Sequence, residues 1–301
     1  MTLVGSGSHT YEWIDNWAKV TDSVSLGYTH GIVIDAGGRT IVHNQSKDAV
    51  AFFDRDGQFL SSWGEEFAAG AHGLYLSVED GIEYLYLADN ARHAIYKATL
   101  DGEILWERGA PDLPGAYGAP DQYTPTDVAV SPDGRVYATD GYGKGWVHEY
   151  TTSGDYVRSF GGPNVFNCPH GVWIDTRASE PVLLIADRGH HQIQVLDLDG
   201  KPISIVTDEQ NMPCCFFQHG DEIVIPDLFG RVTILAGDNK LIAHLGENPG
   251  VNEWPGYPNI PHDKREPGKF ISPHAVTVDD NGDIYVVEWV SDGRVTKLRK
   301  V

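Results

Sequence analysis

The chain repeats one short pattern six times: a polar residue is followed by alternating apolar residues, and the run ends at or near an acidic residue. The six copies begin at His30, His72, Thr126, His170, Cys214 and His274, at intervals of 42, 54, 44, 44 and 60 residues. Two further alternating runs follow in each unit, usually with an Asp-Gly or Ser-Gly turn before a fourth. Four short strands in about 40 to 45 residues are typical of a propeller blade. The pattern therefore predicts an all-β fold, a six-bladed β-propeller.

The last unit has only three strands before the chain ends at Val301. An apolar stretch near the beginning of the chain, residues 11–17, lies outside the six units and can supply the missing strand. Pairing of this N-terminal strand with the last blade would close the ring and remove two sheet edges. All-β folds routinely use this length as one unit, so we expect residues 1–301 to form a single propeller domain.

Charge and composition narrow the range of partners. The 22 basic and 43 acidic residues give a formal net charge of −21, which argues against nucleic acid and anionic membranes as partners. The sequence has no leader pattern and no apolar run long enough to span a membrane, and three cysteines are too few for a disulfide framework. We therefore expect a cytoplasmic protein, with a secreted protein whose signal has been removed as the alternative. We expect its partner to be a small-molecule substrate. Its oligomeric state is not indicated.

The histidines of the repeat are the candidate metal ligands. In a propeller the first strand of each blade begins, and the second ends, at the same face near the central channel, so these residues would gather there. His72, His170 and His274 come from alternate blades, and three imidazoles that leave one position open are typical of catalytic zinc. This predicts a divalent metal, with Zn²⁺ favoured and Fe²⁺ or Mn²⁺ as alternatives. His30 is a further candidate for the metal shell or for substrate contact, and Cys214 is a further candidate ligand.

The second strands of the six units end in a ring of polar residues. An Asp at this point of a repeat commonly accepts backbone hydrogen bonds within its own turn, so we expect a structural role for the acids. The residues are Asn44, Asp89, Asp140, Asp187, Asp227 and Glu288.

These motifs resemble a known family. The repeat is similar to that of NHL-repeat six-bladed propellers. Within it, Asp140-Gly-Tyr142, Cys168-Pro-His170, Ala186-Asp-Arg188 and Ser272-Pro-His274 resemble the peptidyl-α-hydroxyglycine α-amidating lyases, the lyase half of the peptide-amidating enzyme.

The resemblance implies a zinc held by His72, His170 and His274, with Tyr142 and Arg188 as catalytic residues. The family reaction removes the hydroxyl proton of a carbinolamide, expels the amide nitrogen and leaves an aldehyde. We expect Tyr142 to act as a phenolate or hydrogen-bond relay, and Arg188 to hold a carboxylate or stabilise charge. The structural alternatives are that Tyr142 packs over its glycine-rich turn and that Arg188 forms a salt bridge with the acidic ring.

The sequence also departs from the family. Asn44 lies near the position of a second active-site arginine, so Asn44 and His30 are the predicted substrate-binding residues. Ala275 replaces the acid that serves the family's structural calcium, which argues against Ca²⁺. Gly143 stands where the family has a cysteine of the disulfide beside Tyr142. These departures favour a small carbinolamide, hemiaminal or hydroxy acid over an amidated peptide.

Two other functions fit the same pattern. One is a metal-dependent hydrolase of the lactonase type, in which a bound water attacks the substrate. The other is a non-catalytic NHL scaffold that binds a protein. Two long connections, residues 110–123 and 247–269, are interpreted either as lids over one face or as ordinary surface insertions.

Overall fold

The protein is described by a computed structural model that covers residues 1–301. It is built almost entirely of short antiparallel strands. The 25 strands are β1 (Leu3–Ser6), β2 (His9–Ile14), β3 (Thr29–Ile34), β4 (Thr40–Asn44), β5 (Val50–Phe53), β6 (Phe59–Trp63), β7 (Ala71–Glu79), β8 (Ile82–Asp89), β9 (Ala94–Thr99), β10 (Ile104–Arg108), β11 (Asp127–Val130), β12 (Arg135–Thr139), β13 (Trp146–Thr151), β14 (Tyr156–Gly161), β15 (Pro169–Asp175), β16 (Val182–Asp187), β17 (Gln192–Asp197), β18 (Pro202–Val206), β19 (Phe217–His219), β20 (Glu222–Asp227), β21 (Arg231–Leu235), β22 (Leu241–Leu245), β23 (Pro273–Val278), β24 (Ile284–Glu288) and β25 (Val295–Lys300).

Helical structure is limited to single turns. The five 3₁₀ helices are Glu65–Phe67, Pro120–Gln122, Arg188–His190, Val251–Glu253 and His262–Lys264. No helix has the length and apolar character needed to cross a membrane.

The strands form six consecutive antiparallel sheets, which are the blades of a six-bladed β-propeller, as predicted. The chain divides into two compact units with three blades each. Residues 69–215 form one unit, with sheets β7–β10, β11–β14 and β15–β18. Residues 1–68 and 216–301 form the other, with sheets β3–β6 and β19–β22 and a five-stranded sheet in the order β1-β2-β25-β24-β23.

The N-terminal strand completes the last blade, as the sequence predicts. Strand β2 pairs with β25, with Tyr11 opposite Lys300 and Trp13 opposite Leu298, and β1 adds a fifth strand at the edge. Trp13 is 6% exposed and lies 4.6 Å from the ring of Phe270. Burial of such a side chain contributes about 1.5–3 kcal/mol, so this strand also contributes to the core of its unit.

The middle strands of the blades are buried on both faces because they pack between neighbouring sheets. Every residue of β4, β5 and β24 is buried, whereas the outer strand β18 is largely exposed. The predicted hairpin turns are present, and their glycines have φ values of 79° to 91°, a range that favours glycine. These glycines are Gly57, Gly102, Gly154 and Gly200.

One predicted strand begins later than its sequence pattern indicates. The inner strand of the fifth blade, expected from Cys214, starts at Phe217. The backbone carbonyl of Cys214 accepts a hydrogen bond from the His170 ring, at 2.8 Å from Nδ1, so this peptide group supports a side chain of the preceding blade.

Candidate active site

Each of the four repeat histidines lies at an irregularity near the start of an inner strand. The pairing of inner with second strand shifts register between Thr29 and Gly31, Ala71 and Leu74, Pro169 and Gly171, and Pro273 and Ala275. The histidines are His30, His72, His170 and His274. Bulges of this kind redirect a side chain and are common next to active sites. The sequence repeat located these positions, but it did not predict the bulges.

Three of the rings are held by the same contact. The Nδ1 atom of each ring donates to a backbone carbonyl of the next blade, at the equivalent repeat position. These bonds join His72 to Thr126 (2.6 Å), His170 to Cys214 (2.8 Å) and His274 to His30 (2.9 Å). A proton on Nδ1 leaves Nε2 as the basic nitrogen, which is the form a metal ligand requires.

Tyr142 lies between the two histidines of the 69–215 unit. Its hydroxyl oxygen is 3.2 Å from Nε2 of His72 and 3.1 Å from Nε2 of His170. The hydroxyl has one proton and can donate it to only one of these nitrogens at a time. The Nε2 atoms of His72 and His170 therefore face the same hydroxyl oxygen.

Arg188 completes this cluster. It is 8% exposed, its Nη2 donates to the Tyr142 hydroxyl at 3.2 Å, and its guanidinium carbon lies 5.3 Å from the centre of the Tyr142 ring. None of the ion pairs in residues 1–301 involves Arg188, and its buried Nε has no hydrogen-bond partner. The structure therefore does not contain the salt bridge given as the alternative for Arg188. A buried guanidinium without a carboxylate favours binding of an anion.

Burial and charge act in opposite directions on these groups. Tyr142 is 43% exposed, but desolvation still raises its pKa above the usual value, and the nearby Arg188 only partly offsets this. Burial alone would lower the pKa of Arg188, but the interactions with Tyr142 and with the thiols of Cys214 and Cys168 outweigh it, and the pKa is raised. Tyr142 is therefore a neutral hydrogen-bonding group beside a fixed positive charge.

The other unit holds the remaining predicted histidines. The His30 and His274 rings are 4.7 Å apart, and a ligand nitrogen of each lies within 4.8 Å of one in the other. His30 differs from the other three because its Nδ1 donates to the carbonyl of Tyr28, at 3.1 Å, within its own blade.

Asn44, a predicted substrate contact, is fully buried. Its Oδ1 accepts from the backbone N–H of Gly27 at 3.0 Å, and its Nδ2 donates to the carbonyl of Asp48 at 2.8 Å. The amide is thus engaged in the loop after β4, and a substrate contact would require these bonds to break.

The acids of the ring accept hydrogen bonds or form ion pairs within their own blades, in the turn that follows or in the loop before the inner strand, in line with the expected structural role. Asp89 accepts from the backbone of Ala91 and Arg92, and Glu288 accepts from the backbone of Ile271 and Ser272. Asp187 accepts from the side chains of three following residues, and Asp227 pairs with Arg231. The converging groups are therefore imidazoles, a phenol and a guanidinium rather than carboxylates.

The donor set of the 69–215 unit fits a borderline divalent metal. Two neutral imidazoles with fixed tautomers present Nε2 atoms toward the same hydroxyl, and imidazole nitrogen is a preferred ligand of Zn²⁺. The third predicted ligand, His274, has the same anchored tautomer in its own unit. A calcium ion would require oxygen ligands, which this cluster does not offer.

Comparison with known proteins finds similarity to NHL-repeat proteins and to amidating lyases. The human NHL repeat-containing protein 3 is 24% identical over 87% of this chain and 77% of its own length. Peptidyl-alpha-hydroxyglycine alpha-amidating lyase 1 of Drosophila melanogaster is 26% identical over 93% of this chain and 58% of its own length. Lyase 2 of the same organism is 22% identical over 95% of this chain and 74% of its own length.

Solved structures share the fold at lower identity. A catalytically inactive variant of virginiamycin B lyase from Staphylococcus aureus, with quinupristin, is 13% identical and superposes with a TM-score of 0.66 over 97% of this chain and all of its own. A gluconolactonase from Xanthomonas campestris is 14% identical, with a TM-score of 0.67 over 97% of this chain and 90% of its own. No family model matches the chain. The relatives of this six-bladed β-propeller thus include NHL-repeat proteins and amidating lyases.

Proposed function

We propose that this protein is a metal-dependent lyase that cleaves a small carbinolamide-like substrate. The observation that carries the proposal is the Tyr142 hydroxyl, which lies within 3.2 Å of Nε2 of His72, Nε2 of His170 and Nη2 of Arg188. A potential metal position, a proton-carrying group and an anion-binding cation thus occupy one cluster. The similarity to two amidating lyases supports this assignment.

His72, His170 and His274 would hold the metal, with the third ligand assigned from its repeat position and from the resemblance. A bound divalent cation would polarise and acidify the substrate hydroxyl. The residues of the chain supply the remaining functions. Anchored Nδ1 atoms keep each ring in the ligating tautomer, and Arg188 binds the substrate carboxylate.

The chemistry balances without a further reactant. For an N-acyl-α-hydroxyglycine, the hydroxyl loses its proton, the carbon–oxygen bond becomes a carbonyl, and the carbon–nitrogen bond breaks with its electrons on nitrogen. The amide nitrogen then takes a proton, so the products are a primary amide and glyoxylate. Tyr142 would relay the proton, because its hydroxyl both accepts from Arg188 and faces the imidazoles.

The test is an assay for glyoxylate from N-acetyl-α-hydroxyglycine with protein prepared without chelator and supplied with Zn²⁺. Release of glyoxylate and acetamide in equal amounts, lost in the chelated protein and restored by the metal, would support the proposal. Absence of glyoxylate with every divalent metal and with a panel of hydroxylated amides would refute it.

A lactonase-type hydrolase is the second candidate, because the chain shares its fold with a gluconolactonase. Such enzymes would hold calcium through carboxylate and amide oxygens. Here the buried carboxylates of Asp140 and Asp187 accept hydrogen bonds within their own blades and are not presented to a calcium ion. This favours the lyase over the lactonase. Hydrolysis of gluconolactone without any aldehyde release would reverse this preference.

A further inference from the structure

The loop that carries Tyr142 is folded around one carboxylate. Asp140 is fully buried, and its side-chain oxygens accept from the backbone N–H groups of Thr124 (2.7 Å) and Lys144 (2.6 Å). Its backbone carbonyl also accepts from the N–H of Gly145, at 3.0 Å. The position of Tyr142 therefore depends on where this carboxylate lies.

No disulfide bond holds this loop, because none of the three cysteines of the chain is in a disulfide. Gly143 occupies the position at which the resemblance places a cysteine, and a Cβ atom there would lie 1.9 Å from Oδ1 of Asp140. Any side chain at this position would displace the carboxylate. The loop thus relies on the Asp140 carboxylate rather than on a disulfide.

A chain of hydrogen bonds reaches Asp140 from outside the loop. The Tyr117 hydroxyl donates to Oδ2 of Asp140 at 2.7 Å and lies 2.7 Å from Nε2 of His148. On its other side, Nδ1 of His148 lies 2.6 Å from Oγ of Ser159, which is 2.8 Å from the hydroxyl of Tyr156. These five side chains form one hydrogen-bonded relay, which runs from Tyr156 to Asp140.

The direction of every bond in the relay is fixed. A carboxylate accepts, so Tyr117 donates to Asp140 and its oxygen accepts from Nε2–H of His148. Burial lowers the pKa of His148 to about 3, so the ring is neutral, and its Nδ1 accepts from Ser159. All donors of the relay therefore point toward Asp140, which holds the carboxylate in a single place.

Tyr117 also indicates the structural role of one of the two long connections. It lies in residues 110–123 and is half-buried, with its ring 5.9 Å from that of Tyr123 and 5.9 Å from that of His148. Through Tyr117 this connection is tied to the loop of Tyr142. Because Tyr117 donates a hydrogen bond to a fully buried carboxylate, we interpret residues 110–123 as a fixed support and not as a lid.

We propose that Tyr117 and His148 are positioning residues that place the Tyr142 hydroxyl between His72 and His170 by fixing Asp140. This rests on the proposed function, in which Tyr142 takes part in the reaction. The relay itself touches neither His72 nor His170 and reaches Tyr142 only through Asp140 and its loop.

A double-mutant cycle on the metal-loaded, full-length protein separates positioning from general structural support. Tyr117→Phe removes one oxygen atom and should lower kcat for N-acetyl-α-hydroxyglycine roughly tenfold with KM within about twofold, the size of effect typical of residues that orient a catalytic group. In the Tyr142→Phe background the same substitution should cause no further loss. Equal losses in both backgrounds would overturn the proposal.

A readout that needs no activity accompanies the cycle. Tyr117→Phe should increase hydrogen exchange of the backbone amides in residues 140–145, and unchanged exchange there would overturn the proposal. Tyr123→Phe is the matched control, since Tyr123 is fully buried beside Tyr117 and its hydroxyl makes no hydrogen bond to the relay. If the wild-type protein releases no glyoxylate, the proposed function fails, whereas the exchange experiment still decides whether the relay holds the loop.

Discussion

The Nδ1 atom of His170 donates to the backbone carbonyl of Cys214 at 2.8 Å, and these two residues occupy equivalent positions in consecutive blades. The same relationship joins His72 to Thr126. Blades that carry a predicted metal ligand thus alternate with blades that supply the backbone acceptor for its ring. The repeat supplies both groups at equivalent positions of the blades, which is why histidines far apart in sequence present the same tautomer.

The first prediction concerns the metal. His170→Ala removes one Nε2 donor and should weaken binding of Zn²⁺ roughly 100-fold or more, because loss of even an indirect ligand contact costs about 10- to 100-fold. Elemental analysis of protein purified without chelator, followed by competition with a zinc indicator, measures this. His262→Ala, at an exposed site in the 247–269 connection, is the control and should retain the metal. Equal metal content in both variants would exclude His170 as a ligand.

The second prediction concerns Tyr142. Tyr142→Phe keeps the ring beside Arg188 but removes the hydroxyl that contacts His72 and His170. Proton transfer by a positioned group contributes about 10²- to 10⁴-fold, so kcat for glyoxylate release should fall by roughly that factor while metal content stays constant. Steady-state kinetics on metal-analysed protein checks this. Full activity in this variant would remove Tyr142 from the reaction.

The third prediction concerns the buried charge of Arg188. Arg188→Gln removes a guanidinium that has no carboxylate partner in the protein, so KM for N-acetyl-α-hydroxyglycine should rise about tenfold or more, the range expected for a charge-assisted hydrogen bond. The corresponding hydroxyglycine amide lacks the carboxylate and serves as the control substrate. Its KM should change little between wild type and variant. A parallel change for both substrates would show that Arg188 does not bind the carboxylate.

The sequence predicts the fold well because six copies of one pattern determine strand order, blade number and the closing strand β2. It also selects His72, His170, Tyr142 and Arg188, which the structure brings into one cluster. The bulges, the Nδ1 anchors and the support of Asp140 by Tyr117 were not predicted. They depend on backbone register and on contacts between blades, for which a single sequence has no periodic signal.

The fourth prediction tests the anchor of His170 through its neighbour Gly171. A Cβ atom on Gly171 would lie 2.3 Å from the Cys214 carbonyl oxygen and 2.8 Å from the Cα atom of Cys215. Gly171→Ala should therefore destabilise the protein by about 1–3 kcal/mol and displace the acceptor of the His170 ring. Urea denaturation measures the first effect and zinc affinity the second. Gly109→Ala is the control, because the nearest atom to its Cβ is 3.7 Å away. Equal stability of the two variants would contradict the close packing.

The last prediction concerns Asp127 and pH. Asp127 begins β11, accepts from the backbone N–H of Val172 at 3.1 Å, and packs against Gly73, whose Cβ would lie 2.6 Å from the Asp127 Cα. Burial raises the pKa of Asp127 to about 7, whereas the unfolded chain has a value of about 3.9. The folded state therefore binds the proton more tightly, and the stability that this provides is present at low pH and is lost as the pH rises from about 4 to about 7.

Asp127→Asn abolishes this titration. The Tm of the variant minus the Tm of the wild type should increase from pH 4.5 to pH 7 and then stay constant to pH 8.5. The two pKa values set this range. Thermal unfolding followed by circular dichroism measures it. Asp121→Asn, at an exposed position in a 3₁₀ helix, makes the same change in charge on the surface and is the control. Tm curves of Asp127→Asn and wild type that run parallel across this range would show that the Asp127 carboxyl does not titrate as its burial predicts.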